Sequence, residues 1–138
     1  MNYFEFSVKT YVEDTDYGGI VYHANYLKFM ERARTEWLNS IDISLRDMQQ
    51  SNILFVARTA TLHFHKPAFL NDVLTVETRV AVIKNTRLIF THRIVKKDTT
   101  GIICCNGEVE VVCVNLEKKP IRLPQLILQH LNSDEEMT

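Results

Sequence analysis

The first pattern along the chain has a period of two. Phe4, Phe6 and Val8 alternate with Glu5, Ser7 and Lys9, so an extended segment has one apolar and one polar face, as a half-buried strand requires. The period changes in the next segment. Tyr26, Met30, Ala33, Trp37 and Ile41 recur three or four positions apart, with Lys28, Glu31, Arg32, Thr35, Glu36 and Asn39 mostly between them. This spacing predicts one long amphipathic helix over about 24–40. A shorter helical segment over 44–50 follows, with Ser44 placed to cap it.

The second half reads as strands over 54–66, 73–84, 87–97 and 102–115, each rich in Val, Ile, Thr and Phe. The connections Lys84-Asn85-Thr86 and Asp98-Thr99-Thr100-Gly101 are short and turn-forming, so the last three strands are expected to be consecutive antiparallel neighbours. Residues 120–132 are expected to form a closing strand fragment and a short terminal helix. The order is therefore one strand, one long helix and four strands, an α+β chain. One helix cannot cover both faces of a five-stranded sheet. The expected solution is a curved sheet wrapped around the helix, with a further surface hidden by a partner chain.

Neither a repeat nor a Pro/Gly-rich seam divides the chain, so residues 1–138 read as a single domain. At this length roughly two thirds of the unfolded surface can be buried without a disulfide framework or structural metal. Sixteen basic side chains against 17 acidic ones leave no charge excess, which argues against a general nucleic-acid or membrane binder. The charged N-terminal stretch lacks the apolar run of a signal peptide, and no stretch approaches the roughly 18 apolar residues of a membrane span. A cytoplasmic protein is expected. Cys104, Cys105 and Cys113 form neither a C-x-x-C pair nor an even set, and read as reduced, mostly buried thiols.

Candidate chemistry concentrates in Glu13-Asp14-Thr15-Asp16-Tyr17-Gly18-Gly19-Ile20-Val21-Tyr22-His23-Ala24-Asn25-Tyr26. Acidic residues, a glycine pair and the start of the long helix fall within about a dozen positions. Glycines permit backbone angles closed to other residues, so the amides near Gly18 and Gly19 can turn toward a ligand. The first helical turn adds amides without intrahelical partners and the positive end of the dipole. Such donors suit a carbonyl oxygen that gains negative charge during acyl transfer, and a nearby aspartate supplies a base or nucleophile. Taken alone, an acidic run before two glycines is more often a plain turn.

The whole string is more specific. Asp14-Thr15-Asp16, two residues, Gly19, then Val21-Tyr22-His23-x-x-Tyr26 and Glu31-Arg32-Ala33-Arg34 closely resembles the signature of the 4-hydroxybenzoyl-CoA thioesterase-like proteins. Within them it looks most like the YbgC-type acyl-CoA thioesterases associated with the Tol-Pal system. The resemblance extends over nearly the whole chain, to the ending Val111-Val112-Cys113-Val114-Asn115. It implies a hotdog fold, a homodimer or homotetramer with active sites at the dimer interface, and hydrolysis of acyl-CoA without metal or organic cofactor. By position, Asp16 corresponds to the catalytic carboxylate, as base or nucleophile. The backbone amide of His23 corresponds to the donor that polarises the thioester carbonyl, and its side chain to a group that orients water or substrate. Gly19, Val21, Tyr22 and Tyr26 correspond to the loop and pocket wall that hold substrate. Acyl carrier protein is a further partner of the same chemistry.

Other residues read more simply. Asp14 braces the loop, because two acids two positions apart on one extended segment cannot each act from the same place. Glu31 is an ion-pair partner of Arg32 or Arg34, or a contact across the subunit interface. His63 and His65 share one strand face but lack a carboxylate pattern for a metal site. The Lys84–Arg87 turn is a solvated hairpin tip or a contact for coenzyme A phosphates. A hydroxyacyl-thioester dehydratase would need an acid on the central helix paired with a loop histidine, and the acid here stands in the loop. The rival reading from another class is a non-catalytic hotdog module that binds acyl carrier protein or a cell-envelope partner.

Overall fold

The computed structural model describes residues 2–137, with side chains to residue 131. Strand β1 (Tyr3–Lys9) leads through a 3-10 turn at Val12–Asp14 and a loop into α1 (Asn25–Ser40). Helix α2 (Leu45–Gln50) follows, then β2 (Leu54–Phe64), β3 (Val73–Ile83), β4 (Arg87–Lys96), β5 (Ile103–Val114) and α3 (Gln125–Met137). The sheet order is β1-β3-β4-β5-β2, and every pairing is antiparallel. The β3-β4-β5 meander expected from the short turns is present. Ser44 caps α2 by accepting the Asp47 N–H.

The alternation read along each strand decides which face meets α1. Val8, Leu74, Val76, Leu88, Phe90, Ile94 and Val109 are buried on the inner face, while Glu5, Glu77, Arg93 and Glu108 lie on the outer one, where Arg93 and Glu77 pair at 2.5 Å. Against the inner face α1 buries Tyr26, Phe29, Met30, Ala33, Trp37 and Leu38. Its apolar stripe is one residue wider on each flank than the sequence periodicity suggested, because Phe29 and Leu38 fill the two sides. Gly107 on β5 lets the helix come this close. A Cβ there would stand 3.0 Å from Met30 Cε and 3.1 Å from the Thr61 carbonyl oxygen, closer than side chains pack without displacement.

The chain end departs from expectation. The closing strand fragment is a single bridge between Val114 and Pro120. The terminal helix is longer than foreseen and runs to Met137, since neither Gly nor Pro interrupts the residues after Pro124. Ile127 and Leu131 on this helix are fully buried. All three cysteines are buried and unpaired, and burial pushes the Cys105 thiol up to about 12 and the Cys113 thiol up to about 11, so they pack as apolar groups.

A polar cluster lies within the helix-sheet seam. His92 on β4 is buried with its Nε2 3.1 Å from Arg34 Nη1 and its Nδ1 3.0 Å from Thr78 Oγ1. A guanidinium can only donate, so Nε2 accepts and the ring proton sits on Nδ1, donated to Thr78. Burial first, then the Arg34 charge, drives the His92 pKa from 6.5 down to about 3. The unfolded chain therefore binds a proton that the fold refuses between about pH 6.5 and 3. His92 favours folding fully above that window and progressively less as pH falls through it, by up to about 1.4 kcal/mol per pH unit. Denaturant titrations from pH 7 to 4 are expected to show a shallower loss of stability in His92→Asn than in wild type. Parallel acid limbs would contradict the assignment.

Candidate active site

The loop before α1 is built by successive backbone anchors. Thr10 at the end of β1 donates its N–H to the Asp72 carbonyl at 2.9 Å and its hydroxyl to the Phe69 carbonyl at 2.6 Å. The 3-10 turn then carries Asp14 inward, where it is 4% exposed. Its Oδ2 accepts the Tyr11 N–H at 2.8 Å, its Oδ1 accepts Asn25 Nδ2–H at 2.9 Å, and its carbonyl accepts the Tyr22 N–H at 2.9 Å. One carboxylate thus joins the exit of β1 to the first residue of α1. Asp14 is the expected brace, and these hydrogen bonds make it so.

Beyond Asp14 the chain doubles back. Thr15 bridges Val21, and Asp16 N–H reaches the Ile20 carbonyl at 2.9 Å, so residues 16–20 form a tight loop with Tyr17 fully exposed at its tip. Gly19 turns the corner at φ +80°, a conformation that strains side-chain-bearing residues. Val21 is buried and donates its N–H to the Ala68 carbonyl at 2.8 Å, and Ile20 bridges Phe69. The loop is therefore the middle ribbon of a small pleat between its own first limb and the segment after β2.

Asp16 itself is exposed. Its Oδ1 accepts the Gly18 N–H at 2.8 Å, and its carbonyl accepts the Gly19 N–H at 3.1 Å. The two glycine amides, expected to turn toward a ligand, are instead turned onto Asp16, Gly18 holding its side chain and Gly19 its carbonyl. The free donors stand further on. Among the described residues the N–H groups of His23 and Ala24 meet no protein acceptor, because α1 begins only at Asn25. No hydrogen bond joins Asp16 to His23 among the described residues. The carboxylate and the open amides lie on the two limbs that the Thr15–Val21 bridge holds together.

An aromatic wall adjoins these amides. The exposed His23 ring lies 4.3 Å from the Tyr22 ring and 6.0 Å from Phe64, and Phe64 lies 5.9 Å from the buried Tyr26. Burial pushes the Tyr26 phenol up to about 12, opposed by a backbone hydrogen bond at Ala68, so it stands protonated as a wall and not as a base. Phe64 was missed in the sequence. Its signal was its inward parity as the last apolar residue of β2, and it is 52% exposed, an unusual state for an inward phenylalanine.

The remaining candidates do not converge here. Glu31 accepts the Thr35 hydroxyl at 3.1 Å on the exposed flank of α1. His63 is exposed and His65 donates to Asn106 Oδ1 on the sheet. Among the described residues no three His, Cys, Asp or Glu side chains are grouped to hold a metal. The Lys84–Arg87 turn closes the far end of β3, some 35 Å of strand away at about 3.3 Å per residue. A cavity of about 660 Å³ lies on the polar outer face among Glu77, Arg79, Arg93 and Glu108, away from the loop.

Comparison with known proteins gives this geometry its context. Residues 11–131 match the family model of the Thioesterase-like superfamily. Similar proteins include the acyl-CoA thioester hydrolase YbgC of Escherichia coli O6:H1, 42% identical over 126 residues that span 91% of this chain and 92% of that one. The acyl-CoA thioesterase YbgC of Haemophilus influenzae is 38% identical over 90% of each chain. The crystal structure of Slr0204, a 1,4-dihydroxy-2-naphthoyl-CoA thioesterase from Synechocystis, superposes with a TM-score of 0.86 at 25% identity, covering 91% of this chain and 93% of that one. With a family match across most of its length and relatives aligned nearly end to end, this chain belongs to the thioesterase-like superfamily, and its sheet around one central helix is the hotdog fold.

Proposed function

We propose that this protein hydrolyses an acyl-CoA thioester, R-CO-S-CoA plus water giving the carboxylic acid and free coenzyme A, with Asp16 as the catalytic carboxylate. The observation that carries the reading is the placement of a presented carboxylate one short ribbon away from backbone donors left open where α1 begins. The YbgC relatives, which bear the name of this activity over nine tenths of the chain, support it. The thioester carbonyl oxygen sits against the His23 N–H, which stabilises the charge that develops as the carbonyl carbon becomes tetrahedral. Asp16 either takes a proton from the attacking water or adds to the carbonyl itself. The thiolate then leaves and is protonated, and in the second case water hydrolyses the resulting acyl-aspartyl anhydride to the acid and the free carboxylate. The His23 ring, beside Tyr22 and Phe64, orients water or substrate.

The same reading needs a second copy. Strand β2 lies at the sheet edge and pairs on one side only, with β5. Residues 56–61 are exposed, including the inward-facing Ala57 and Ala60. An edge this long with an apolar flank calls for a partner. Two copies joined β2 to β2 would extend the sheet and close the groove beside α1, and such dimers could pair again into a homotetramer. No helix among the described residues is long and apolar enough to cross a membrane. We place the protein in the cytoplasm, where acyl-CoA and acyl carrier protein supply thioesters, and alongside the Tol-Pal system through its YbgC likeness.

Thiol release from a panel of acyl-CoAs is expected for wild type, and Asp16→Asn is expected to lose about a hundredfold or more in kcat with an unchanged Tm, since the side chain is exposed. Asp14→Ala should lower Tm instead, by leaving Tyr11 N–H and Asn25 Nδ2 without their acceptor at about 1–3 kcal/mol. An undiminished rate in Asp16→Asn would move the chemistry elsewhere. Light scattering is expected to give at least twice the 16.1 kDa chain mass, reduced by Thr59→Pro at the centre of β2. A monomeric wild type would contradict the paired edge.

A further inference from the structure

The start of α1 is left without a side-chain cap, because Ala24 stands at the N-cap. Tyr22 N–H goes to the Asp14 carbonyl and Asn25 N–H to the Tyr22 carbonyl, each at 2.9 Å. The amides between them, those of His23 and Ala24, meet no protein acceptor among the described residues. A carboxylate is nevertheless at hand. Asp14 touches both neighbours of the open pair, its carbonyl bonded to Tyr22 and its Oδ1 to Asn25 Nδ2. Aspartate is among the best capping residues, since its oxygens accept the orphan amides of a first turn and its charge is favoured at the positive end of the dipole. Unrestrained, this carboxylate would close the donors that the proposed reaction needs.

Two neutral donors restrain it. Tyr11 N–H holds Oδ2 at 2.8 Å, and the side-chain amide of Asn25 holds Oδ1 at 2.9 Å. Asp14 and Asn25 are both buried, at 4% and 7% exposure, so neither can release the other without finding a new partner inside the protein. Among the described residues no basic side chain pairs with Asp14. The place of this buried anion therefore depends on the Asn25 amide, one residue beyond the open N–H of Ala24.

We infer that Asn25 is a positioning residue for the hydrolysis: its side-chain amide draws the Asp14 carboxylate away from the His23 and Ala24 N–H groups and keeps them open for the substrate carbonyl oxygen. The inference rests on the reading of the His23 amide as the donor to the thioester. Without the Asn25 amide, Asp14 Oδ1 loses its donor and turns to the nearest open ones. The helix start is then capped, which favours folding but removes the donors from the reaction. An anion beside the reacting carbonyl also opposes the negative charge developing on its oxygen. The Asp14–Asn25 bond thus forgoes a cap to leave a site open, a trade of stability for activity.

Amide exchange followed by NMR, together with thiol release from the acyl-CoA that wild type hydrolyses fastest, tests this. In wild type the His23 and Ala24 amides are expected to exchange without protection. Asn25→Leu, similar in size but without the donor, is expected to protect at least one of them about tenfold or more. It is also expected to lower kcat about a hundredfold with KM little changed, and to keep or raise Tm. Asn25→Val serves the same purpose if Asn25→Leu does not fold. Adding Asp14→Ala to Asn25→Leu removes the carboxylate that would cap, and the double variant is expected to regain about tenfold in kcat while its Tm falls. A pair that only braces the loop gives the opposite order, with the double variant least active. Amides already protected in wild type, full activity in a folded Asn25→Leu, or no recovery in the folded double variant would overturn the inference and leave the activity standing. A wild type that releases thiol from no acyl-CoA, or an undiminished Asp16→Asn, would overturn the functional reading, and exchange would still report where Asp14 turns.

Discussion

Much of the molecule follows from one packing constraint: a single 16-residue helix has to cover the inner face of a five-stranded sheet. Phe29, Met30 and Ala33 reach zero exposure against that face, and Gly107 yields its side chain so that Met30 can approach the strand. A helix that serves the centre of the sheet this fully leaves the flank at β2 thinly covered. The exposure of Phe64 and of the inner alanines Ala57 and Ala60 follows from that shortfall. The open features of the fold therefore gather along one seam, and the proposed chemistry lies at its end.

The position of the helix also sets the position of the loop. Asp14 is bonded to Tyr11 on one side and Asn25 on the other, so wherever α1 docks, the preceding ribbon is drawn with it. Asp16 then emerges two residues later into solvent, with its carboxylate held by Gly18. Two aspartates two positions apart thus divide the work, one buried and structural, the other presented. The division comes from hydrogen bonding and burial, because the residues are chemically identical.

The outline of the fold was legible because it rests on local signals. Phe4, Phe6 and Val8 gave β1, the three-and-four spacing gave α1, Ser44 gave the start of α2, and two short turns gave the meander. The acidic string before the helix pointed to the family and to the candidate site. What the sequence hid depended on partners distant in the chain. The direction of the Gly18 and Gly19 amides was decided by Asp16 itself, which competes for them as acceptor. His92 has the inward parity of Leu88, Phe90 and Ile94, yet a histidine between apolar neighbours suggests burial only once Arg34 on α1 and Thr78 on β3 are known to meet it. Phe64 gained its place from Tyr26 and His23, some 40 residues earlier. The terminal helix outran its expected end because no local breaker stops it.

A presented carboxylate beside the open amides at the start of α1 is the claim on which the functional account turns, and thiol release by wild type and Asp16→Asn addresses it most directly. The account predicts hydrolysis of acyl-CoA by wild type and a loss of about a hundredfold or more in the folded variant. A folded Asp16→Asn as active as wild type would contradict it.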